Sequence, residues 1–415
     1  DDGVTVTFAD GSTARGTLAI GADGIRSPVR EILFGKDSPQ FVGIVAWRGL
    51  VPMDQLPPQI SRTAAVNWLG PGGHALHWRD HTLADPQPHQ AVVQVLACGL
   101  CHTDLGYADG SVPTKHALPL VLGHEVVGLV LAVGSEAFAP LVGKKVVVPA
   151  VLPCGKCAFC KAGRANACPR QVMPGNDDHG GFARHLLVPA GPLQLLPATL
   201  DGDDVRALSV VADAVSTAWQ AVLRSGMQAG DIAFVVGAGG VGAFVAQIAK
   251  AMGATVVALD TSPQRLELAL QLGADRAVPV ANRSVKDVKV EAQGHAKAAG
   301  IDSLRWRIFE CSGATAGQAL AWSLLGRCAT YLQVGYAAGA VELRLSNLMA
   351  FDATAHGTWG CPPDQYPACF ELIAAGKVQL APLVAYAPLA SLNDQLQAMA
   401  AHRLTRRMVL DPALD

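Results

Sequence analysis

Apolar and polar positions along this chain repeat with two different periods. From Ala91 onward the apolar residues come in short β-branched runs. Ala91–Leu96, Glu125–Val133 and Lys145–Val148 predict strands, punctuated by glycine and proline. From Leu200 the pattern changes. Ala207–Arg224 predicts a helix, Ile232–Val236 a fully buried strand, and the segment after a glycine turn a helix reaching Met252. Thr255–Leu259, Arg307–Glu310 and Ala329–Val334 predict further strands, with helices over Gln264–Leu272 and Gly317–Leu325 between them. Strands alternating with helices imply a doubly wound parallel sheet. Two more helices, Gln365–Ala375 and Asn393–His402, follow.

Residues 1–79 read differently. Val4–Phe8 alternates like a strand, Asp10-Gly11 is a hairpin turn signal, and Thr17–Ile20 reads as the return strand. Gly21-Ala22-Asp23-Gly24 closes the hairpin, and Ser27-Pro28 starts a short helix. Leu56–Pro88 is rich in Pro, Gly, His and Gln, which places a junction near Trp78–Asp85.

Composition narrows the class. A chain of 415 residues allows two to three domains at about 150 residues each. Half the residues are hydrophobic and 16% are charged, which excludes wholesale disorder. A net charge of -2 provides no basic field for nucleic acid. Ile232–Ala249 is free of charge and long enough to test as a membrane span, but four glycines cluster near its middle, and no membrane role is expected. The chain opens on Asp1-Asp2 with no Met and no signal pattern, which reads as the inside of a longer frame and makes the cytoplasm the expected compartment. Ten cysteines fit a reducing compartment as ligands or buried thiols.

Four of those cysteines are crowded together as Cys154-x2-Cys157-x2-Cys160-x7-Cys168. Four thiolates at this spacing can close around one Zn²⁺ as a structural site, with an iron–sulfur cluster or two disulfides as the alternatives. Cys101-His102-Thr103-Asp104 and Gly123-His124-Glu125 form a second constellation: a thiolate, an imidazole, a hydroxyl and carboxylates within a short stretch. A catalytic zinc needs three protein ligands and one open position. Cys101 and His124 suit two of these, and Asp104 suits the outer carboxylate that orients the imidazole. The third constellation is Gly237-Ala238-Gly239-Gly240-Val241-Gly242, which follows an apolar strand and opens a helix, with Asp260 at the end of the next strand. This is the context of a dinucleotide site. Gly237 permits the turn, Gly239 lets the backbone approach a pyrophosphate, and Gly242 allows close helix packing. Asp260 would take both ribose hydroxyls and favour NAD over NADP, whereas Arg265 nearby could hold a phosphate or pack on the adenosine.

These motifs, in this order, resemble the zinc-dependent medium-chain alcohol dehydrogenases, from about Asp85 to the end of the chain. The resemblance implies a GroES-like β-rich catalytic domain (80–213), a Rossmann NAD-binding domain (214–358) and a return to the catalytic domain (359–415). It implies two Zn²⁺ per chain and NAD as cofactors. Asp213 falls where the third catalytic ligand belongs, beside Cys101 and His124, and Glu125 matches the acid next to the metal. Thr103 matches the proton-relaying hydroxyl, and Gly106 stands where several relatives carry a relay His. His102 and Arg407 match pyrophosphate contacts, Asp260 and Arg265 the ribose-binding pair, and Val334 and Tyr336 the nicotinamide wall. Dimers or tetramers are the family's usual assemblies, and Val341–Leu345 reads as an edge strand able to pair between subunits.

Residues 1–79 resemble a truncated piece of a flavin-dependent aromatic hydroxylase, in which the Gly-x-Asp-Gly stretch touches flavin, but the glycine fingerprint that holds the ADP part is absent. Within the dehydrogenases, the stretches Cys98–Tyr107, Met173–Asp177, Arg344–Asp352 and His402–Arg407 are similar to a subgroup that oxidises a cyclic allylic alcohol carried on a CoA thioester. That resemblance makes a small alcohol, as a CoA ester, the expected substrate, and Arg184, Arg344 and Arg403 candidates for its phosphates.

Overall fold

A computed structural model describes residues 4–7, 12–16, 83–202 and 204–414. The chain divides into two compact units, residues 1–71 and 72–415. In the first, β1 (Val4–Thr7) pairs antiparallel with β2 (Thr13–Gly16), Val4 opposite Gly16 and Thr7 opposite Thr13. The described return strand, Thr13–Gly16, directly precedes the Thr17–Ile20 stretch that the alternation marks. Thr17–Ile20, the Gly21–Gly24 stretch and the helix expected after Ser27 lie outside the described residues.

The second unit contains two sheets. Its strands begin with β3 (Gln90–Gly99), β4 (Glu125–Val133), β5 (Lys145–Val148), β6 (His185–Pro189) and β7 (Gln194–Leu195). β8 (Ile232–Val236), β9 (Thr255–Asp260), β10 (Arg276–Pro279), β11 (Trp306–Glu310), β12 (Thr330–Gln333) and β13 (Thr354–Gly357) follow. β14 (Val384–Pro388) and β15 (Arg407–Asp411) complete the set. The first sheet has the order β14-β15-β3-β4-β5-β7, with β6 also on β3, so the last strands of the chain return to the first domain. Alternation along β3 buries Ala91, Val93, Val95 and Ala97. The second sheet is parallel throughout, in the order β10-β9-β8-β11-β12-β13. Its central strand β8 is buried at every position, as a strand covered by helices on both faces must be. The class is thus α/β, a mixed β-rich sheet joined to a doubly wound one.

One core joins them. Ala97, Val127 and Val147 of the first sheet pack in the same cluster as Val215, Ala218 and Val222 of helix Ala214–Arg224 and Phe244 and Ile248 of helix Gly242–Ala251. The continuous apolar run Ile232–Ala249 becomes a strand, a turn and a helix, and among the described residues no helix is long and apolar enough to cross a membrane.

Two expected elements differ. The helix expected over Ala207–Arg224 is broken: a 3-10 segment, Arg206–Ala212, precedes the α-helix Ala214–Arg224. Asp213 between them has φ −136 and ψ −64, and its carbonyl accepts the Thr217 amide at 2.7 Å. The Asp213 side chain caps no backbone amide; its carboxylate instead accepts the Thr217 hydroxyl, at 2.6 Å. Val341–Leu345 forms no strand. It leads into helix Ser346–Phe351, and the sheet edge is β13 instead. Leu343, Leu348 and Phe351 pack on the core beneath, which anchors this stretch as an irregular segment and a helix.

Candidate active site

The carboxyl ends of the parallel strands carry the glycine turn. Gly237 has φ +90, and a Cβ there would lie 2.6 Å from the backbone N and Cα of Ser312. A Cβ on Gly242 would lie 1.8 Å from the Gly237 carbonyl, so the first turn of the helix closes tightly onto the strand end. Asp260, at the end of β9 and 6% exposed, accepts the Ala238 amide at 2.8 Å and the Ser262 amide at 2.8 Å. Its carboxylate is thereby aimed along the rim of the turn. Arg265 Nη1 is 4.0 Å from it. A cleft beside the turn is lined by His102, Gly239, Gly240, Arg265, His402 and Arg407. Packing around His102, with the charges of Arg407 and Arg265, holds that imidazole below its ordinary pKa.

A few residues away, one carboxylate organises the second constellation. Asp104 is the third residue of helix His102–Asp109, and its Oδ2 accepts the Cys101 amide at 2.9 Å as a capping bond. Its Oδ1 takes the Gly123 amide and His124 Nδ1, each at 3.2 Å. Cys101 and His124, far apart in sequence, are thus fixed by a single fully buried side chain. Asp213 enters from the helix break described above, and its Oδ1 accepts the Thr217 hydroxyl at 2.6 Å. Its Oδ2 faces Cys101 Sγ at 4.0 Å and His124 Nε2 at 3.6 Å. Burial acts to raise the Asp213 pKa, but the His124 ring, the Arg407 charge and the Thr217 hydroxyl outweigh it and hold it at about 2.

These donors fit a metal ion. His124 Nε2 is buried and has no hydrogen-bond partner, an arrangement that is expensive unless something else takes the lone pair. Ligand atoms of Cys101, His124, Glu125 and Asp213 all lie within 4.8 Å of one another. Donors on a tetrahedral zinc stand about 3.3–3.8 Å apart, given metal–ligand distances of about 2.0–2.3 Å. Glu125 is committed elsewhere, to a doubly hydrogen-bonded pair with Arg407 that includes a 2.8 Å contact from Nε to Oε2. Three donors, Cys101, His124 and Asp213, are therefore left to hold an ion, with the Glu125–Arg407 pair beside them.

The four cysteines form a separate cluster whose sulfurs also lie within 4.8 Å of one another. Cys157 Sγ is 3.5 Å from Cys160 Sγ and 3.6 Å from Cys168 Sγ, too far for the bond of about 2.05 Å in a disulfide and right for a shared single ion. Backbone amides favour the thiolate at two of the four: hydrogen bonding from Lys156 brings Cys154 down to about 6, and that from Cys160 lowers Cys157, whereas burial pushes Cys160 up to about 12. With four sulfur ligands this site has no open position, so its zinc is architectural. Asn166 and Gln171 beside it bond to the Trp359 carbonyl and indole.

Of the remaining candidates, Thr103 Oγ1 lies 3.6 Å from Cys101 Sγ. Val334 packs against the shared core, and Tyr336, three residues past the end of β12, is 67% exposed. Gly240 lies against Arg407, since a Cβ there would meet Nη1 at 2.7 Å, so Arg407 spans the gap between the glycine turn and Glu125. The sequence gives no sign of that pairing. Thr217 was also missed: an Asp followed four residues later by Thr has no capping signature, and the bond joins two side chains one turn apart on the helix.

Known proteins share this fold. Residues 87–198 match the alcohol dehydrogenase GroES-like domain, and residues 240–375 match the zinc-binding dehydrogenase family. An alcohol dehydrogenase of Geobacillus stearothermophilus is 31% identical over 326 residues, 77% of this chain and 91% of that protein. L-galactonate-5-dehydrogenase of Escherichia coli is 30% identical over 73% of this chain and 85% of its own length. The crystal structure of galactitol-1-phosphate dehydrogenase from Escherichia coli superposes with a TM-score of 0.72 at 23% identity, covering 81% of this chain and 96% of that one.

Proposed function

The chain belongs to the zinc-containing medium-chain alcohol dehydrogenases, and on that premise we propose that it oxidises a cyclic secondary alcohol, carried on a CoA thioester, to the ketone with NAD as hydride acceptor. As a zinc-dependent oxidoreductase of this family it has two zinc sites per chain and a site for a nicotinamide dinucleotide. The observation that carries the reading is the convergence of Cys101, His124 and Asp213 around an imidazole nitrogen left without a protein partner.

Zinc bound there supplies Lewis acidity toward a hydroxyl oxygen. The protein's own groups do the rest. Asp104 holds the proton on His124 Nδ1 and so presents Nε2 as the ligand atom. Thr217 fixes the Asp213 carboxylate, leaving Oδ2 toward the other donors. Thr103 Oγ1 takes the proton released by the alcohol and passes it outward, and the glycine at position 106 adds no ring to extend that relay. A nicotinamide ring held in this site would supply the hydride acceptor for the carbinol carbon, with Val334 and Tyr336 as the residues that would line it.

The preference for NAD rests on Asp260, whose buried carboxylate would repel a 2′-phosphate more strongly than the exposed Arg265 would attract one. The acyl-CoA substrate rests on the four similar stretches, which resemble 6-hydroxycyclohex-1-ene-1-carbonyl-CoA dehydrogenase. Two of them, Cys98–Tyr107 and His402–Arg407, meet at the cofactor cleft. We place the enzyme in a reducing cytoplasm, where thiolate ligands persist, and as a homodimer or homotetramer. Steady-state kinetics on a panel comparing the cyclic hydroxyacyl-CoA, polyols and simple alcohols, each with NAD and NADP, tests this. The expected result is the highest kcat/KM for the CoA ester with NAD. Turnover of free alcohols or polyols alone would defeat the CoA assignment, and a strong preference for NADP would defeat the role given to Asp260.

A further inference from the structure

We propose that Glu310 is a fixed negative charge beneath the nicotinamide half of the cofactor, which favours the oxidised, cationic ring over the reduced, neutral one. The inference rests on the dinucleotide site described above. Glu310 is the last residue of β11 and is completely buried. Its Oε1 accepts both the amide of Ser312, at 2.8 Å, and the Ser312 hydroxyl. Its Oε2 accepts Gln333 Nε2 at 2.8 Å. The Gln333 amide is held in that orientation, because its oxygen takes the Tyr331 hydroxyl at 2.5 Å. Every partner donates. A carboxylic acid would bring a proton in need of an acceptor, and the network suits the ionised form.

Among the described residues, no cationic side chain forms an ion pair with it; the pairs present lie elsewhere. An anion buried among neutral donors is costly, and a cation placed nearby repays part of that cost. The topology says which cation. Asp260 ends β9 on one side of β8, and Glu310 ends β11 on the other. A dinucleotide crossing this edge with its adenosine ribose at Asp260 lays its other half over β11 and β12. Glu310 is tied to both walls of that half. Its carbonyl accepts the amides of Val334 and Gly335, at 3.0 and 2.8 Å, and Gln333 Nε2 also donates to the Gly335 carbonyl at 2.6 Å. On the other side Ser312 abuts Gly237 of the glycine turn. The oxidised ring carries a positive charge and the reduced ring none, so the carboxylate acts on one form only. Glu310 is therefore a positioning residue whose charge, beyond its hydrogen bonds, biases the bound cofactor.

The test measures dissociation constants for NAD⁺ and NADH separately, by calorimetry and by nucleotide fluorescence, on the zinc-loaded full chain. Glu310→Gln should weaken NAD⁺ about tenfold, the scale of one unit charge across a partly solvated site, and leave NADH unchanged. The double variant Glu310→Gln with Gln333→Glu exchanges donor and acceptor between the two side chains and returns the charge to the same pocket, with loss of the Gln333 bond to the Gly335 carbonyl. It should restore the wild-type ratio, and it keeps the question answerable if the single variant folds poorly. Equal losses for both nucleotides, or a double variant that keeps a depressed ratio while melting like wild type, would overturn the proposal and leave Glu310 a loop tie. A wild-type protein that binds neither nucleotide would defeat the cofactor site itself, a result distinct from equal losses.

Discussion

Four sulfurs from one short loop make the closed candidate zinc site, whereas a sulfur, a nitrogen and an oxygen from three separate elements make the open candidate site. In the closed site every ligand falls between Cys154 and Cys168, and three of the four are partly exposed. In the open site Cys101 begins a helix, His124 precedes β4, and Asp213 interrupts a helix, with His124 1% exposed. A local loop needs only its own turns and backbone amides to gather thiolates. A dispersed set needs outer groups to hold it, and here Asp104 and Thr217 do so. Under the proposed function the dispersal also has a chemical use: three donors in place of four leave one position for a substrate oxygen.

If outer groups hold the open site together, removing them should harm it in proportion to how many ligands they hold. Asp104→Asn keeps the shape but replaces one of its two acceptor oxygens by a donor, so either the Cys101 amide or the His124 ring with the Gly123 amide loses its partner. Zinc affinity or kcat/KM should fall about 10–100-fold, checked by chelator competition and steady-state kinetics. Zinc in the four-cysteine site should be untouched, and parallel loss from both sites would break the distinction. Thr217→Val removes one hydrogen bond to one ligand. The expected loss is smaller, about 0.5–1.5 kcal/mol in the same chelator competition, and no measurable change would show that Asp213 is held by the helix break alone.

The same contrast governs what could be read from the residues. The four-cysteine spacing, the glycine turn and Asp260 are local, and the sequence displays them whole. The periodic strands β4, β5 and β8 were also legible to the residue, because burial on a sheet leaves a clean pattern. The open site was legible only in pieces, joined by family resemblance, since nothing in Cys101, His124 or Asp213 taken alone announces a shared ion. The break at Asp213 was hidden because apolar residues run through it on both sides. Helix Val285–Ala298 was overlooked for a different reason: its buried face is Val288, Ala292 and Ala296, small residues that leave a faint periodic signal. The Glu125–Arg407 pair joins positions 282 apart, a contact that belongs to tertiary structure alone.

The most direct measurement compares Cys101→Ser with Cys157→Ser by native mass spectrometry and turnover. The account predicts that Cys101→Ser retains one zinc, melts near the wild-type temperature and has no dehydrogenase activity, while Cys157→Ser also drops to one zinc but melts lower and keeps turnover in its folded fraction. Cys101→Ser protein that held two zinc ions and oxidised alcohols at the wild-type rate would contradict it.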